Sequence, residues 1–420
     1  MVGVSMIFTL LNRDEFDDFS RVHADSAFVQ SKQMAELLEL QKRKVLIFGV
    51  KENNQIIAAG LFSLRKIFGP YNIGHCNQGP LIDWTNQELV KFFFQNLKQA
   101  LKPYKCINCV ITPNFEVYPR DINGEICGED NNLNIIDYLN QIGVIHQGYD
   151  NSAINGVGRW FFYKDFSGLK NKQDLLDSFD HATRQNIRKT IKNNLSVSYD
   201  GEERLAKFVN LMEKTAARRD FDDRGLSYYR NLKQAFGESA RLYLAELNID
   251  AYKDGINQEI ADFNTERAVL QERVDQKMAS KKTKNRIDLI DRNLANLFSK
   301  LQEIDDLSEG EKELILAGII YIKYGNEMTA LFGGNDERYF GFNGAHAIHW
   351  TVMSNTLGTD CTRFNFYGTS GKYSGAEDDG NYRFKKGFGG RVVEQPGNFV
   401  LVVNSFMNSL YNIARKFKNR

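Results

Sequence analysis

The sequence predicts a mixed α/β protein made of two consecutive sheet-containing units, with a long helical hairpin set into the second. Three observations predict it. The chain has 420 residues, 42% of them hydrophobic and 12% aromatic, more than one ordinary core accommodates. Strand-like and helix-like stretches alternate twice in the same order: strand, helix, paired strands, helix, strand. Between Ile256 and Glu309 Gly and Pro are absent and apolar residues recur at spacings of three and four, the mark of helices that pack on each other.

In the first unit "MIFTLL" reads as a strand and "DEFDDFSRVHAD" as a short helix. "SKQMAELLELQKR" has helical spacing, and "KVLIFGVKENNQIIAAGLFSLRKI" is a hairpin turning at "KENNQ". "NIGHCNQGPLID" carries a Gly-Pro turn, and the helix "TNQELVKFFFQNLKQALKPY" has Thr85 as its expected cap with Glu88 three residues on. The strand "CINCVITPNFEV" follows, and the unit is expected to span residues 1–156.

The second unit, expected over 157–400, opens with the strand "GRWFFYKDF". A helix, a basic helix and a strand follow in "NKQDLLDSFDHATRQNIRKTIKNNLSVSYDG", then two helices and the strand "RLYLAELNI". A helical arm over 252–309 interrupts the unit. Ile287, Ile290, Leu294, Leu297, Leu301 and Ile304 form one seam; Ile256, Ile260, Phe263, Leu270 and Val274 form the other, with Arg267 in one seam position. The polar "ASKKTKNR" between them is the tip of an antiparallel coiled-coil hairpin, with arms of roughly 38 Å at 1.5 Å per residue. Strands resume at "ELILAGIIYIKYGNEMTALFGGND", then come the helix "AHAIHWTVMSNTLG" and the strand "TRFNFYG". Residues 401–420 read as a C-terminal helix.

Lys and Arg number 54 against 53 Asp and Glu, so no global field steers the chain toward polyanions, and any nucleic-acid contact must come from local patches. Cys106 and Cys109 form a C-x-x-C inside an apolar strand with no second pair at zinc spacing, which argues against a metal site. His346 and His349 lie three apart on a helix without a third ligand. Five thiols and no secretory leader suggest a reducing cytosol, and no apolar run reaches membrane-spanning length. A Walker A sequence, H-E-x-x-H, G-x-S-x-G and a dinucleotide fingerprint are all missing.

Three local patterns remain. His181 to Tyr199 holds no acidic residue, and Arg184, Arg188 and Lys192 recur every four residues beside an apolar stripe of Ile187, Ile191 and Leu195. Like charges so spaced repel by a few tenths of a kcal/mol per pair, which suits an anionic partner as well as a solvated face. Lys281, Lys282, Lys284 and Arg286 cluster at the hairpin tip, and Arg224 stands four residues before Tyr228, a fork and a hydroxyl suited to phosphate. Last, "NYRFKKGFGG" sets Lys385 and Lys386 between Phe384 and Phe388 ahead of a glycine pair. It reads either as a short helix with a glycine C-cap or as an oxyanion site screened by aromatics.

The chain resembles the Fem family of aminoacyl-tRNA-dependent peptidyltransferases, in layout its FemA-like members. The resemblance covers essentially the whole length. It rests on "GPLID", "TRQNIRKTIKNNLSV", the inserted hairpin, and above all "FNFYGTSG…YRFKKGFGG" after the hairpin. It implies two tandem acetyltransferase-like domains of the GNAT type and transfer of Gly, Ala or Ser from aminoacyl-tRNA to the stem-peptide lysine, or growing cross-bridge, of a peptidoglycan precursor. The co-substrate is the tRNA ester, with no cofactor and no metal. The precursor is either lipid II or a UDP-linked muropeptide, and the enzyme is cytoplasmic, with peripheral contact at the inner membrane face for a lipid-linked acceptor.

Carried onto this sequence, the resemblance makes Phe384 and Lys385 the catalytic pair at the acceptor end of the tRNA. It makes Arg224 and Tyr228 the holders of the precursor's diphosphate and sugar. Arg184, Arg188 and Lys192, and more loosely Lys282 and Lys284, would lie against tRNA. The chain departs from the family at Thr112–Pro113, where an acid often precedes the proline, and at Met34 and Leu38, where relatives carry Trp and Lys. Glu116 and Asp121 stand near enough in sequence to replace the missing acid. The alternative readings are a non-catalytic module that docks RNA or a partner, and an acyl-CoA-dependent N-acyltransferase; the latter lacks its R/Q-x-x-G-x-G/A loop.

Overall fold

Asn53 and Asn54 both take left-handed backbone, φ 49° and 64°, the geometry of a two-residue turn whose twist matches that of paired strands. That turn sets the main hairpin of the first sheet in the computed structural model, which describes residues 5–149, 158–199, 201–371, 373 and 380–418.

The chain begins with β1 (Ile7–Leu10) and α1 (Arg13–Val22), whose N-terminus is closed by a reciprocal pair of bonds between Asn12 and Glu15. Then come α2 (Lys32–Leu40), β2 (Lys44–Glu52), β3 (Gln55–Phe68), β4 (Tyr71–Asn77), β5 (Leu81–Ile82), α3 (Gln87–Leu101), β6 (Cys106–Thr112), α4 (Leu133–Gln141) and β7 (Val144–His146). Asn86, not Thr85, caps α3: its side chain accepts from Leu89 N at 3.0 Å. Thr85 is held instead by Asp83, which accepts from both its amide and its hydroxyl. An Asx turn therefore replaces the expected capping box one residue early.

The second run is β8 (Trp160–Asp165), α5 (Lys172–Asp177), α6 (His181–Lys192), β9 (Ser196–Tyr199), α7 (Glu202–Arg219), α8 (Gly225–Phe236) and β10 (Ala240–Asn248). The hairpin is α9 (Ile249–Asp275) and α10 (Lys281–Ser308). After it come β11 (Glu313–Tyr324), β12 (Glu327–Asn335), α11 (Gly344–Thr356), β13 (Arg363–Thr369), α12 (Gly380–Gly387), β14 (Arg391–Glu394), β15 (Phe399–Val402) and α13 (Ser405–Lys418).

Two mixed sheets result. The second runs β14-β8-β13-β12-β11-β10-β9, with β12 and β13 parallel. The first runs β1-β2-β3-β4-β6-β15-β7, with β4 and β6 parallel and β5 on β3. The sequence division into 157–400 and a terminal helix is corrected here: β15 pairs with β6 and β7, and so completes the first sheet from the far end of the chain. Four apolar residues after a Pro-Gly turn carry no mark of which sheet they join. The boundary near Gly156 lies outside the described residues.

The two units are packed together. Ala27, Phe28, Val29 and Leu37 share a core with Phe208, Tyr229 and Leu232 of α7 and α8. Tyr324 of β11 donates to Asp17 of α1 at 2.9 Å, beneath the Arg21 guanidinium.

The hairpin follows its seam. Ile256, Ile287, Ile290, Leu294, Leu297 and Ile304 are buried, while Ile260, Phe263, Leu270, Val274 and Leu301 are half-buried. Arg267, the polar seam residue, escapes burial by pairing with Asp291 of the other arm at 2.6 Å.

Candidate active site

α12 is a short helix, as the first of the two readings of "NYRFKKGFGG" expects. Gly389 and Gly390 have φ 71° and 136°, and a Cβ on Gly390 would lie 2.2 Å from the Tyr163 carbonyl. Only glycine lets the chain pass β8 that closely and leave for β14. This seats α12 over β13 and α11, and one turn of it faces inward.

That turn carries Lys385, a lysine only 7% exposed, whose ammonium donates to the Gly368 carbonyl of β13. Around it Phe384, Phe388, His346, His349 and Phe366 pack ring against ring, with centroids 4.9–5.6 Å apart. His349 Nδ1 lies 2.8 Å from the Tyr321 hydroxyl. Burial, then the neighbouring His346 and Lys385, push His349 far below the usual histidine range. Burial also brings His346 down to about 4, against a weak opposing pull from Asp180. Both imidazoles are therefore neutral at pH 7, and Lys385 supplies the positive charge of this apolar corner. Lys385, Phe384, His346 and His349 line a cavity of about 590 Å³ with Arg218 and Arg219 at its α7 side. The histidine pair is thus part of a cavity wall, and among the described residues no group of three His, Cys, Asp or Glu is placed to hold a metal.

A smaller cavity of about 140 Å³ is lined by Arg224, Tyr228, Arg43, Ser63 and His75. Met34 and Leu38, the two departures of α2, line it as well. The Arg224 guanidinium lies 5.4 Å from the Tyr228 ring centre. Burial and then the charges of Arg65 and Arg224 lower the pKa of Arg43. Burial, then Arg65 and Arg43, take His75 down to about 4. Three guanidiniums thus raise the potential at one pocket, an arrangement that an anion relieves.

The two cavities share a wall of Leu331, Phe332 and Tyr367. Tyr367 has φ 63°, and the β13–β8 register shifts between Asn365 and Gly368. A bulky residue in left-handed backbone is uncommon and costly; this bulge turns the ring into the partition.

The structure therefore brings Lys385, Phe384, Arg224 and Tyr228 to two sides of one partition. α6 abuts the same site, since a Cβ on Gly387 of α12 would meet the Thr183 hydroxyl at 2.2 Å. On α6 Arg184 donates to the Phe179 carbonyl at 2.6 Å, Arg188 is exposed, and Lys192 pairs with Glu259 of the hairpin at 2.9 Å. The helix docks through Thr183, Ile187 and Thr190; Ile191, expected in that stripe, is exposed. Lys282 and Lys284 are exposed at the hairpin tip, roughly 40 Å along the arm at 1.5 Å per residue. Glu116 accepts from Arg391, and Asp121 accepts from the amides of Asn123 and Glu125; neither lines the cavities. Most of the segment between β13 and α12, residues 372 and 374–379, lies outside the described residues.

Sequence reasoning missed Arg43, His75 and Tyr367. Arg43 sits within "QKRK", indistinguishable from a solvated basic turn, and nothing in "IGHCN" marks His75 as facing Arg224.

The FemAB family model matches residues 11–416. Aminoacyltransferase FemA of Staphylococcus epidermidis is 31% identical over 418 residues, covering 98% of this chain and 100% of that one. Aminoacyltransferase FemA of Staphylococcus aureus is 30% identical over 421 residues, covering 99% and 100%. Among solved structures, that of FemX superposes with a TM-score of 0.77 at 22% identity, covering 96% of this chain and 99% of that one.

Proposed function

The chain belongs to the FemAB family and is an aminoacyltransferase of peptidoglycan cross-bridge synthesis, and on that premise we propose how its two cavities divide the work. The cavity at Lys385 takes the aminoacyl end of a tRNA charged with Gly, Ala or Ser. The cavity at Arg224 takes the diphosphate–sugar part of the precursor, lipid-linked or nucleotide-linked. The observation that carries this reading is the shared partition: a buried lysine stands on one side and convergent guanidiniums on the other.

The precursor's lysine side-chain amine, or the terminal amine of a growing bridge, attacks the ester carbonyl carbon. A C–N bond forms and charge moves to the carbonyl oxygen. When the ester C–O bond breaks, the tRNA 3′ oxygen leaves with the proton that the amine gives up. Lys385 offsets the developing negative charge in a corner where aromatic walls keep the dielectric low, so its effect exceeds that of a solvated lysine. Phe384 keeps water from the ester. Arg224 and Arg43 fix the diphosphate, and Tyr228 supplies a hydroxyl and a ring face to the sugar. The exposed cations of α6, beside α12, lie where the tRNA acceptor stem approaches.

The test is transfer of label from charged tRNA to purified precursor. Amide-linked product is expected with at least one small aminoacyl-tRNA; none with any of them overturns the proposal.

A further inference from the structure

α13 exposes an apolar ladder. Phe406, Leu410 and Ile413 are 72%, 45% and 54% exposed, and their spacing of four and three puts them on one helix face. The other face is fixed to the first sheet, where Asn108 of β6 donates to Asn408 at 2.5 Å. Where β15 hands over to α13, the amides of Val403 and Asn404 both donate to the Ile107 carbonyl.

The side of the sheet that α13 covers is the side of the smaller cavity. Phe399 and Leu401 enter the core with α3 and α4, so Val402 faces the opposite side, paired across to Asn108. Phe62 and Leu64 enter that same core, so Ser63, in the cavity wall, and Arg65 face the opposite side too. One cross-strand row runs Arg65, Ile73, Asn108, Val402. α13 thus lies two strands from Arg65, on the sheet face that carries Ser63 and His75 of the cavity holding Arg43 and Arg224.

Charge is one-sided here. No acidic residue occurs between Glu52 and Asp83, between Glu88 and Glu116, or from Gln395 to Arg420. Arg65 and Lys66 stand exposed ahead of the β3–β4 turn, with Phe68 at 42% exposure. The next corner holds exposed Lys102 and Lys105, and the Lys105 carbonyl accepts from Asn72 N at 3.1 Å.

We propose that α13, with the β3–β4 turn and the Lys102–Lys105 corner, docks this enzyme peripherally on an anionic phospholipid bilayer surface. An apolar ladder accompanied by basic stretches that carry no acid is what such a surface binds, through shallow burial and attraction to headgroups. A second copy of this chain is disfavoured as occupant, because face-to-face packing would set one acid-free basic patch against another. Among the described residues no helix is long and apolar enough to cross the membrane, so the contact is one of lying on the surface. Under the functional reading above, on which this last point alone rests, docking turns the Arg224 cavity toward the bilayer.

The experiment is co-sedimentation of the full chain with vesicles of phosphatidylglycerol and phosphatidylcholine, and with vesicles of phosphatidylcholine alone. Binding to the anionic vesicles that weakens as salt rises is expected, with little binding to the neutral ones. The triple variant Phe406→Ser, Leu410→Ser, Ile413→Ser is expected to lose about tenfold or more in partitioning, while transfer to a soluble acceptor stays unchanged. A second variant, Lys66→Glu with Lys102→Glu, is expected to weaken anionic binding without touching α13, which keeps the test open if the triple variant does not fold. No binding by the full chain to anionic vesicles, or equal binding by both variants, overturns the proposal; so does a dimer in solution that the triple variant abolishes. Vesicle binding is read without any acyl transfer, so its failure and that of the transferase reading are told apart.

Discussion

The ammonium of Lys385 donates to the main-chain carbonyl of Gly368, so α12 is tied to β13 one residue beyond Tyr367, the partition between the two cavities. The charge proposed to meet the reacting ester is thereby positioned by the strand that also separates donor from acceptor.

Replacing Lys385 by Met keeps the length and apolar stem of the side chain and removes its charge. A preorganised charge facing a developing oxyanion accounts for about 10²–10³-fold in rate, so a loss of that size in kcat is expected. KM for the precursor should hardly move. Single-turnover transfer from charged tRNA, with thermal unfolding as a control for folding, checks this; wild-type kcat in a folded variant would remove Lys385 from the mechanism.

The Arg224 cavity should answer in the other constant. Loss of one charge-assisted hydrogen bond to phosphate costs about 1.5–3 kcal/mol, or roughly 10- to 100-fold in affinity. Arg224→Ala and Arg43→Ala are each expected to raise KM for the precursor by that factor and leave kcat within severalfold. A fall in kcat alone would place these side chains with the reaction and not with the diphosphate.

The hairpin and the Asn-Asn turn were readable in the sequence because each depends on neighbours a few positions away: seam spacing in one, paired left-handed residues in the other. The aromatic setting of Lys385 was readable for the same reason, since Phe384, Phe388 and the glycines that seat it are contiguous. The rest depends on contacts across the chain. β15 joins β6 about 290 residues earlier, between Val400 and Val110, and an apolar tetrapeptide does not announce its partner. Ile191 fits an apolar stripe by spacing alone, yet α6 packs on α11 and α12 and buries Thr183 and Thr190 instead. Arg43 and His75 become a site only when α8 brings Arg224 over the first sheet.

His75 gives a pH-dependent signature of that packing. Its folded pKa of about 4 lies below the ordinary 6.5, so the unfolded chain binds the extra proton between those values. Its contribution is complete above about pH 6.5 and is lost as pH falls toward 4. At pH 5 the loss is about 2 kcal/mol. His346 works in the same sense, whereas Asp25, raised to about 6 by burial, opposes it by gaining a proton in the folded state. Urea unfolding of wild type and His75→Asn at pH 7 and pH 5 isolates the one group. The variant is expected to lose about 2 kcal/mol less than wild type on acidification, and identical losses would show that His75 is not held neutral.

The hairpin tip is tested by salt. Lys282 and Lys284 are exposed at the end of an arm whose seam is buried within itself, so Lys282→Ala with Lys284→Ala should leave thermal unfolding unchanged. If the tip meets the duplex part of tRNA, each lost phosphate contact lowers the slope of log affinity against log salt by about 0.9. Arg188→Ala, on the helix beside Lys385, is expected to lower the same slope and also to slow transfer, because it would hold the stem near the reacting end. A tip variant with an unaltered slope, beside an Arg188 variant with a reduced one, would confine tRNA contact to the α6 face.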